Sequence, residues 1–496
     1  MIGGGICGAA AAWDAAQRGL SVALVERDDF AGATSSNSLK VVHGGVRYLQ
    51  HLDVARVRES SRERAALLRI APHLVKPMPV LVPTFGHGMQ GPEVLRAAFL
   101  LLNGLTFDRN RRLEHSPIPG ARILSRAEAV ERCPELVGKD LTGAGLFWDG
   151  QFENPPRLVW EMVEAAAHNG AAVANYCGAR DLLLRGDRVF GVAVQDYLGK
   201  ERFDLRARVV INAAGPFAEQ LSIRAGLQDA RRIPLSRDLA LVVSRKPSAP
   251  YALALPTRHR DPDAWLSRGP RHLFFMPWRD VTLIGVHSAI FPGDPDALEV
   301  GSEEVAYFLD EVNAAAPWLN LAPSDVVMIY AGLLPADAGS GTGESVSFGK
   351  RPHLIDHARR DGIQSLVTAM TNRFTTARSV AQRAVDLAGR KLGRPVPPSR
   401  TAVTRLAGAS SPPESAALET RVIRAVREEM AQTLGDCVFR RTDIASSGHP
   451  GDAILGRSAQ IMATELGWTA LRQQQELEKV RSRLLTFRPG SSAEGY

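Results

Sequence analysis

The run Gly3-Gly4-Gly5-Ile6-Cys7-Gly8 restricts this chain more than any other stretch. Gly3, Gly5 and Gly8 keep the spacing G-x-G-x-x-G. One glycine in that spacing permits a tight turn out of a strand, one lets backbone approach a pyrophosphate, and one lets the next helix lie close on the sheet. The alanine-rich segment Ala9 to Arg18 reads as that helix. Its first N–H groups and partial positive charge favour phosphate. Leu20 to Val25 reads as a buried strand ending at Glu26, an acid about 20 residues on, where a ribose hydroxyl needs an acceptor. A Rossmann-like α/β nucleotide-binding domain follows from these features together. Only Met1 and Ile2 stand where a first strand of about five residues belongs, so a natural start further upstream is expected.

Bulk properties bound the rest. With 496 residues there is room for two or three domains. A formal charge of +7 and a pI near 9.4 favour anionic partners. The arginines are dispersed, without a basic block, a zinc-finger spacing or basic residues interleaved with aromatics, which argues against nucleic acid. Cys7, Cys133, Cys177 and Cys437 lie far apart with no C-x-x-C, so no metal site and a reduced, cytoplasmic protein are expected. No apolar run is long enough to span a membrane. Val94 to Leu105 comes partway. It reads either as a buried helix or as one lying on a membrane surface beside Arg109, Arg111 and Arg112.

Further along, Gly32 to Ser38 is a small, hydroxyl-rich loop suited to phosphate or flavin contacts. Asp53 to Leu74 has the apolar spacing of an amphipathic helix, and Pro77 to Pro92 reads as a proline- and glycine-punctuated crossing. Leu239 to Val243, Leu273 to Pro277, Thr282 to Gly285 and Val326 to Tyr330 have the spacing of an antiparallel sheet. Residues 393–415 are rich in proline, serine and threonine, and helical patterns follow to residue 485.

The string Ala33-Thr34-Ser35-Ser36 through His43-Gly44-Gly45-Val46-Arg47-Tyr48-Leu49 resembles the signature of the FAD-dependent glycerol-3-phosphate dehydrogenases, flavoproteins of the DAO type. The likeness continues at Asn212-Ala213-Ala214-Gly215-Pro216, at Phe274 to Asp280 with Ile284-Gly285, at Gly293-Asp294-Pro295 and at Thr371 to Arg378. It reaches Glu429 to Leu434, Arg440-Arg441-Thr442 and Leu466-Gly467-Trp468. This resemblance implies an α/β fold with a discontinuous Rossmann-like FAD-binding domain (1–75, 150–225 and 345–393). It also implies an antiparallel-sheet substrate or cap domain (76–149 and 226–344), a linker (394–415) and a C-terminal helical domain (416–496). FAD is the implied cofactor. Its implied contacts are Gly3, Gly5, Ile6, Gly8, Glu26, Arg27, Thr34, Ser35, Ser36, Lys40, His43, Gly44, Gly45, Ala214, Gly215, Asn372 and Thr375. Thr371 or Asn372 is expected to cap the following helix, whose dipole would then stabilise reduced flavin.

The implied activity is oxidation of a secondary alcohol, by default sn-glycerol 3-phosphate to dihydroxyacetone phosphate, with electrons passing to quinone or oxygen. Arg47, Tyr48, Arg237 and Arg373 are the substrate-binding candidates, and Arg47, His287 and Arg373 the catalytic ones. The substrate face departs from the family pattern. Ala240 stands where a histidine is usual, Leu334 where an arginine is usual, and Arg373 where a lysine is usual. His287 is the candidate to replace the missing histidine. These changes leave two alternatives open: the same scaffold acting on another small anionic hydroxy or amino substrate, or a catalytically silent flavin-binding scaffold. The implied partners are a small anionic substrate and an electron acceptor. Peripheral contact with the inner face of the membrane and a homo-oligomer are further expectations.

Overall fold

The computed structural model describes residues 1–88, 91–138, 140–227, 233–260, 270–336, 352–408 and 416–486. The glycine turn opens directly into helix Ile6–Gln17. Ala9 to Ala12 and Trp13 are all buried. Small side chains let this helix lie close to its neighbours, Pro155–His168 and Ala377–Leu392. The helix Pro155–His168 starts from a strong local signal: the Asn154 side chain accepts from the Arg157 N–H, with prolines in the two first positions.

Beneath these helices lies a sheet with a parallel centre. Ala23–Val25 pairs in parallel with Ala172–Ala174, and Val210–Asn212 with Leu366–Met370. Ile2 bridges Val25 on one side and Asn212 on the other, so the residue before the glycines joins the two halves. His353–Asp356 closes one edge in antiparallel pairing.

A second, nine-stranded sheet packs beside the first. Leu235–Val243 pairs antiparallel with both Val281–Phe291 and Val326–Pro335, so the predicted antiparallel sheet is present with longer strands. Two features of this sheet differ from the sequence expectation. Residues 77–85, read as a punctuated crossing, belong to an 11-residue strand, Val75–Phe85, paired along Leu141–Phe152. Pro77, Pro79 and Pro83 are separated by even numbers of residues. Their missing donors therefore share one strand edge, where the partner Ala252–Arg260 pairs only with Val80 and Leu81. Val41–Val42, next to the His43 string, also joins this sheet, through Gln151 and Gly150. The loop that follows the nucleotide-binding strand is thus stitched into the other sheet.

The helices Leu418–Arg427, Asp452–Leu466 and Ala470–Thr486 form the C-terminal region. A buried ionic cluster fastens this region to the first sheet. Asp29, 1% exposed, accepts from Arg441 at 2.7 and 2.9 Å and from Arg440 at 2.6 Å. Burial alone would raise the Asp29 carboxyl, but the two guanidiniums hold it below the ordinary carboxylate range. Glu429 takes a two-pronged contact from Arg157 at 2.8 and 3.0 Å. The described part of the segment read as a linker, residues 394–408, is anchored, since Leu406 and Thr401 are buried and Thr401 accepts from Arg378 at 3.0 Å.

Candidate functional site

A cavity of about 470 Å³ is lined from both sheets. Its floor is the glycine turn. Gly3 sits at φ +93°, and a Cβ there would come within 2.7 Å of the Ala213 carbonyl oxygen. Gly8 lies one layer below, outside the cavity lining, where a Cβ would meet the Gly3 carbonyl oxygen at 1.8 Å. Helix Ile6–Gln17 begins at Gly5 with no side-chain cap, leaving its positive end at the cavity wall formed by Gly5, Ile6 and Cys7. Ser35 accepts the Ile6 N–H at 3.0 Å. Glu26 lines the cavity and also braces the turn, accepting from the Gly4 N–H at 2.6 Å and the Asp28 N–H at 3.0 Å. Burial raises its pKa, and the two backbone donors oppose that shift. A turn too tight for a side chain, a helix start at the cavity wall and an acid at the strand end share one cavity, and together they fit a dinucleotide.

Other predicted contacts sort by what they touch. Thr34 lines the cavity and bonds the backbone of Leu333, donating at 3.0 Å and accepting at 3.2 Å. Arg27 lies over the Phe217 ring at 3.9 Å and pairs with Asp296 at 2.5 Å. Ala214, Gly215, Asn372, His43 and Gly45 also line the cavity, as does Thr375, whose hydroxyl accepts the His43 N–H at 3.0 Å. Ser36 and Gly44 do not line it. Ser36 donates to the Ala33 carbonyl, closing its own turn, and the Gly44 N–H goes to Asp149 at 2.6 Å. Lys40 lines the cavity with its ammonium between the rings of Trp278 and Tyr330, at 4.4 and 4.6 Å. Burial lowers its pKa to about 8, with Asp443 opposing and Arg279 adding to the shift.

Arg47, Tyr48 and Arg373 meet at another part of the cavity. The Tyr48 ring carries Arg56 at 4.7 Å and Arg373 at 5.1 Å. Arg373 also donates to the Ser60 hydroxyl at 3.1 Å. Two other candidates fall elsewhere. His287 lies 3.8 Å from Glu304 and 3.9 Å from Glu311, with its ring against Tyr307 and Phe308 of helix Ser302–Ala315. Arg237 pairs with the same Glu304 and donates to the Glu299 carbonyl at 2.6 Å. The cause is strand alternation: Arg237 and Leu239, the latter opposite His287, share the sheet face that holds the helix. Thr371 and Asn372 do not cap the late helix either. The Thr371 hydroxyl is engaged with the Arg373 backbone, a 3₁₀ turn Phe374–Thr376 intervenes, and helix Ala377–Leu392 starts after Thr376.

Sequence reasoning missed four residues. Asp149 accepts the Gly44 N–H, faces the His43 ring Nδ1 at 3.4 Å and sits 3.4 Å from Arg64. Asp238, Arg271 and His272 line the cavity from strands Leu235–Val243 and Pro270–Trp278. Alternation from Ala240 along its strand was the available signal for Asp238.

Comparisons with known proteins agree with this geometry. A family model described as FAD dependent oxidoreductase matches residues 1–387, and one described as C-terminal domain of alpha-glycerophosphate oxidase matches residues 366–473. Glycerol-3-phosphate dehydrogenase of Synechocystis is 30% identical, covering 97% of this chain and 94% of that protein. The mitochondrial glycerol-3-phosphate dehydrogenase of Mus musculus is 31% identical over 99% of this chain and 73% of its own. Among solved structures, glycerol-3-phosphate dehydrogenase from Bacillus halodurans complexed with FAD superposes with a TM-score of 0.71 at 22% identity. That match covers 99% of this chain and 95% of the other, and it bears on the fold.

Proposed function

The chain belongs to the FAD dependent oxidoreductase family, and from that premise we propose that it oxidises sn-glycerol 3-phosphate to dihydroxyacetone phosphate, passing electrons to a quinone or to oxygen. FAD, when bound, takes up the hydrogen and electron pair that leave the substrate carbon. The observation that carries this reading is the cationic part of the cavity, where Arg47, Arg271 and Arg373 line the same space as the glycine turn. Arg47 and Arg373 hold the phosphate, each charge-assisted contact contributing about 1.5–3 kcal/mol. Tyr48, stacked under Arg56 and Arg373, keeps the guanidiniums in place. Asp149 fixes the Gly44 backbone and the His43 ring at the cavity edge.

Ala240 and Leu334 line the same cavity where the resemblance implies a histidine and an arginine. They favour a second reading, another small anionic hydroxy or amino substrate on this scaffold. Anaerobic addition of glycerol 3-phosphate to the yellow protein is expected to bleach the flavin bands. Bleaching by another alcohol or amine alone supports the second reading. A flavin that none of them reduces rejects both in favour of a silent scaffold.

Membrane contact belongs to the same proposal. Among the described residues no helix is long and apolar enough to cross a membrane. Helix Pro92–Leu105 nevertheless turns Leu100, 70% exposed, to solvent, and Phe107 just beyond it is 78% exposed. Leu101, Val94 and Leu52 are exposed as well, and so are Arg96, Arg111 and Arg112. Apolar side chains flanked by arginines suit the interface of an anionic bilayer, and a quinone acceptor resides in one. Burying Leu100 and Phe107 stabilises attachment by about 1.5–3 kcal/mol each. Leu100→Glu with Phe107→Glu is therefore expected to lower co-sedimentation with anionic vesicles by at least about tenfold while the flavin spectrum stays unchanged. Equal binding by the double variant would remove this helix from the proposal.

A further inference from the structure

The proposed reaction needs an acceptor for the hydroxyl proton, and the candidate to replace the family's histidine does not stand in place. Ala240 has no base, and His287 faces the helix on the other side of the sheet. Asp238 is two residues before Ala240 on the same strand, hence on the same face. It lines the cavity, half-buried, and its surroundings have the form of a relay. The Ser236 hydroxyl donates to Asp238 Oδ1 at 3.0 Å. Ser288, 1% exposed and directly opposite on the neighbouring strand, is a second hydroxyl donor to the carboxyl. Arg271 donates to the Ser288 hydroxyl at 3.2 Å, directing that proton toward Asp238.

We infer that Asp238 is the catalytic residue that receives the substrate's hydroxyl proton, and that its charge makes this part of the cavity accept a neutral alcohol rather than a second anion. The inference rests on the alcohol-oxidation reading above. The substrate O–H bond breaks to the Asp238 carboxylate. Bound FAD would take the C–H hydrogen with its electron pair, leaving the carbinol carbon as a carbonyl. One proton and two electrons with their hydrogen are thereby accounted for. Burial raises the Asp238 pKa to about 6, against the opposing effects of Ser236, Ser288, Arg271 and His287. A carboxylate raised to that value is a stronger base than an ordinary one and is still ionised at neutral pH. The charged and titratable groups around it are Arg271 and His272 from strand Pro270–Trp278 and His287 from strand Val281–Phe291. Arg47 and Arg373 line the same cavity.

The test is the rate of anaerobic flavin reduction by glycerol 3-phosphate as a function of pH, in the FAD-loaded wild type, Asp238→Asn and Asp238→Glu. Asp238→Asn is expected to keep the flavin spectrum and the spectral shift on titration with dihydroxyacetone phosphate. It should reduce about 10²- to 10⁴-fold more slowly and lose the rise in rate that wild type shows through pH ~6. Asp238→Glu is expected to recover part of the rate with the limb displaced. A merely structural role would instead weaken the ligand-induced spectral shift in parallel with the rate. That result, or an Asp238→Asn protein with wild-type rate and limb, overturns the inference and leaves the oxidation reading intact. A wild-type flavin that no secondary alcohol reduces overturns both.

Discussion

Gly8→Ala is expected to give a colourless protein. The added Cβ would stand 1.8 Å from the Gly3 carbonyl oxygen, and backbone on both sides leaves nothing flexible to yield. Either the helix Ile6–Gln17 lifts away from the turn or Gly3 moves, and Gly3 is itself held against Ala213 and Ala214. Overpacking of this kind costs about 1–3 kcal/mol or more. Here the strain falls on the atoms that shape the phosphate end of the cavity. At ~3 kcal/mol, FAD affinity drops roughly 100-fold, so the purified protein loses most of its flavin absorbance per chain. Gly104→Ala is the control. Its Cβ meets nothing within 4 Å, it lies in an exposed helix where alanine is the better helix former, and the protein should remain yellow. A yellow Gly8→Ala protein would remove the close helix-to-turn approach from the account of cofactor binding.

Asp29→Ala is expected to cost about 3–5 kcal/mol, the usual result of removing one partner from a buried ion pair. Arg440 and Arg441 are 6% and 3% exposed, so the variant would leave two guanidiniums without their shared carboxylate. Arg440 retains Asp436, and Arg441 retains the Glu429 carbonyl at 2.8 Å, which limits the loss. Calorimetry should show Tm lower by about 3–5 °C, since the unfolding entropy of a chain this long is about 1 kcal/mol/K, and limited proteolysis should first release the region after residue 416. The pH dependence has a definite sign. The Asp29 carboxyl is depressed in the folded state, so its contribution is fully present above the unfolded value of about 3.9. It is lost as pH falls through the folded value. Wild type and Asp29→Ala should therefore differ most near neutrality and converge in strong acid. A constant difference down to the lowest pH at which the protein folds would assign the effect to packing instead of charge.

Local chemistry was the readable part of this sequence. The glycine turn, Glu26 and the His43 to Tyr48 string act within a few residues of where they are written, and the structure sets them around one cavity. What misled was geometry that spacing does not carry. Arg237 and His287 look like cavity residues until strand alternation turns them toward helix Ser302–Ala315. The same alternation turns Asp238 inward. The prolines at 77, 79 and 83 discourage a strand reading until they are seen to share an edge. Asp149 and the Asp29 cluster depend on partners distant in sequence, and a single sequence does not reveal which arginine meets which carboxylate.

The Asp29 cluster also bears on the order in which the protein can be made. Asp29 follows the nucleotide-binding strand by only a few residues, yet its arginine partners lie 411 and 412 residues further along the chain. During synthesis the glycine turn and its helix emerge early. The carboxylate beside them must stay hydrated until residues 440 and 441 have left the ribosome. At roughly 5–20 residues per second that delay is on the order of tens of seconds to over a minute. Contacts of such long separation also form late in refolding, because the intervening chain must be organised first. A nascent chain halted before residue 440 would therefore present an early-formed cofactor turn whose supporting acid has the Asn175 amide but neither arginine to pair with.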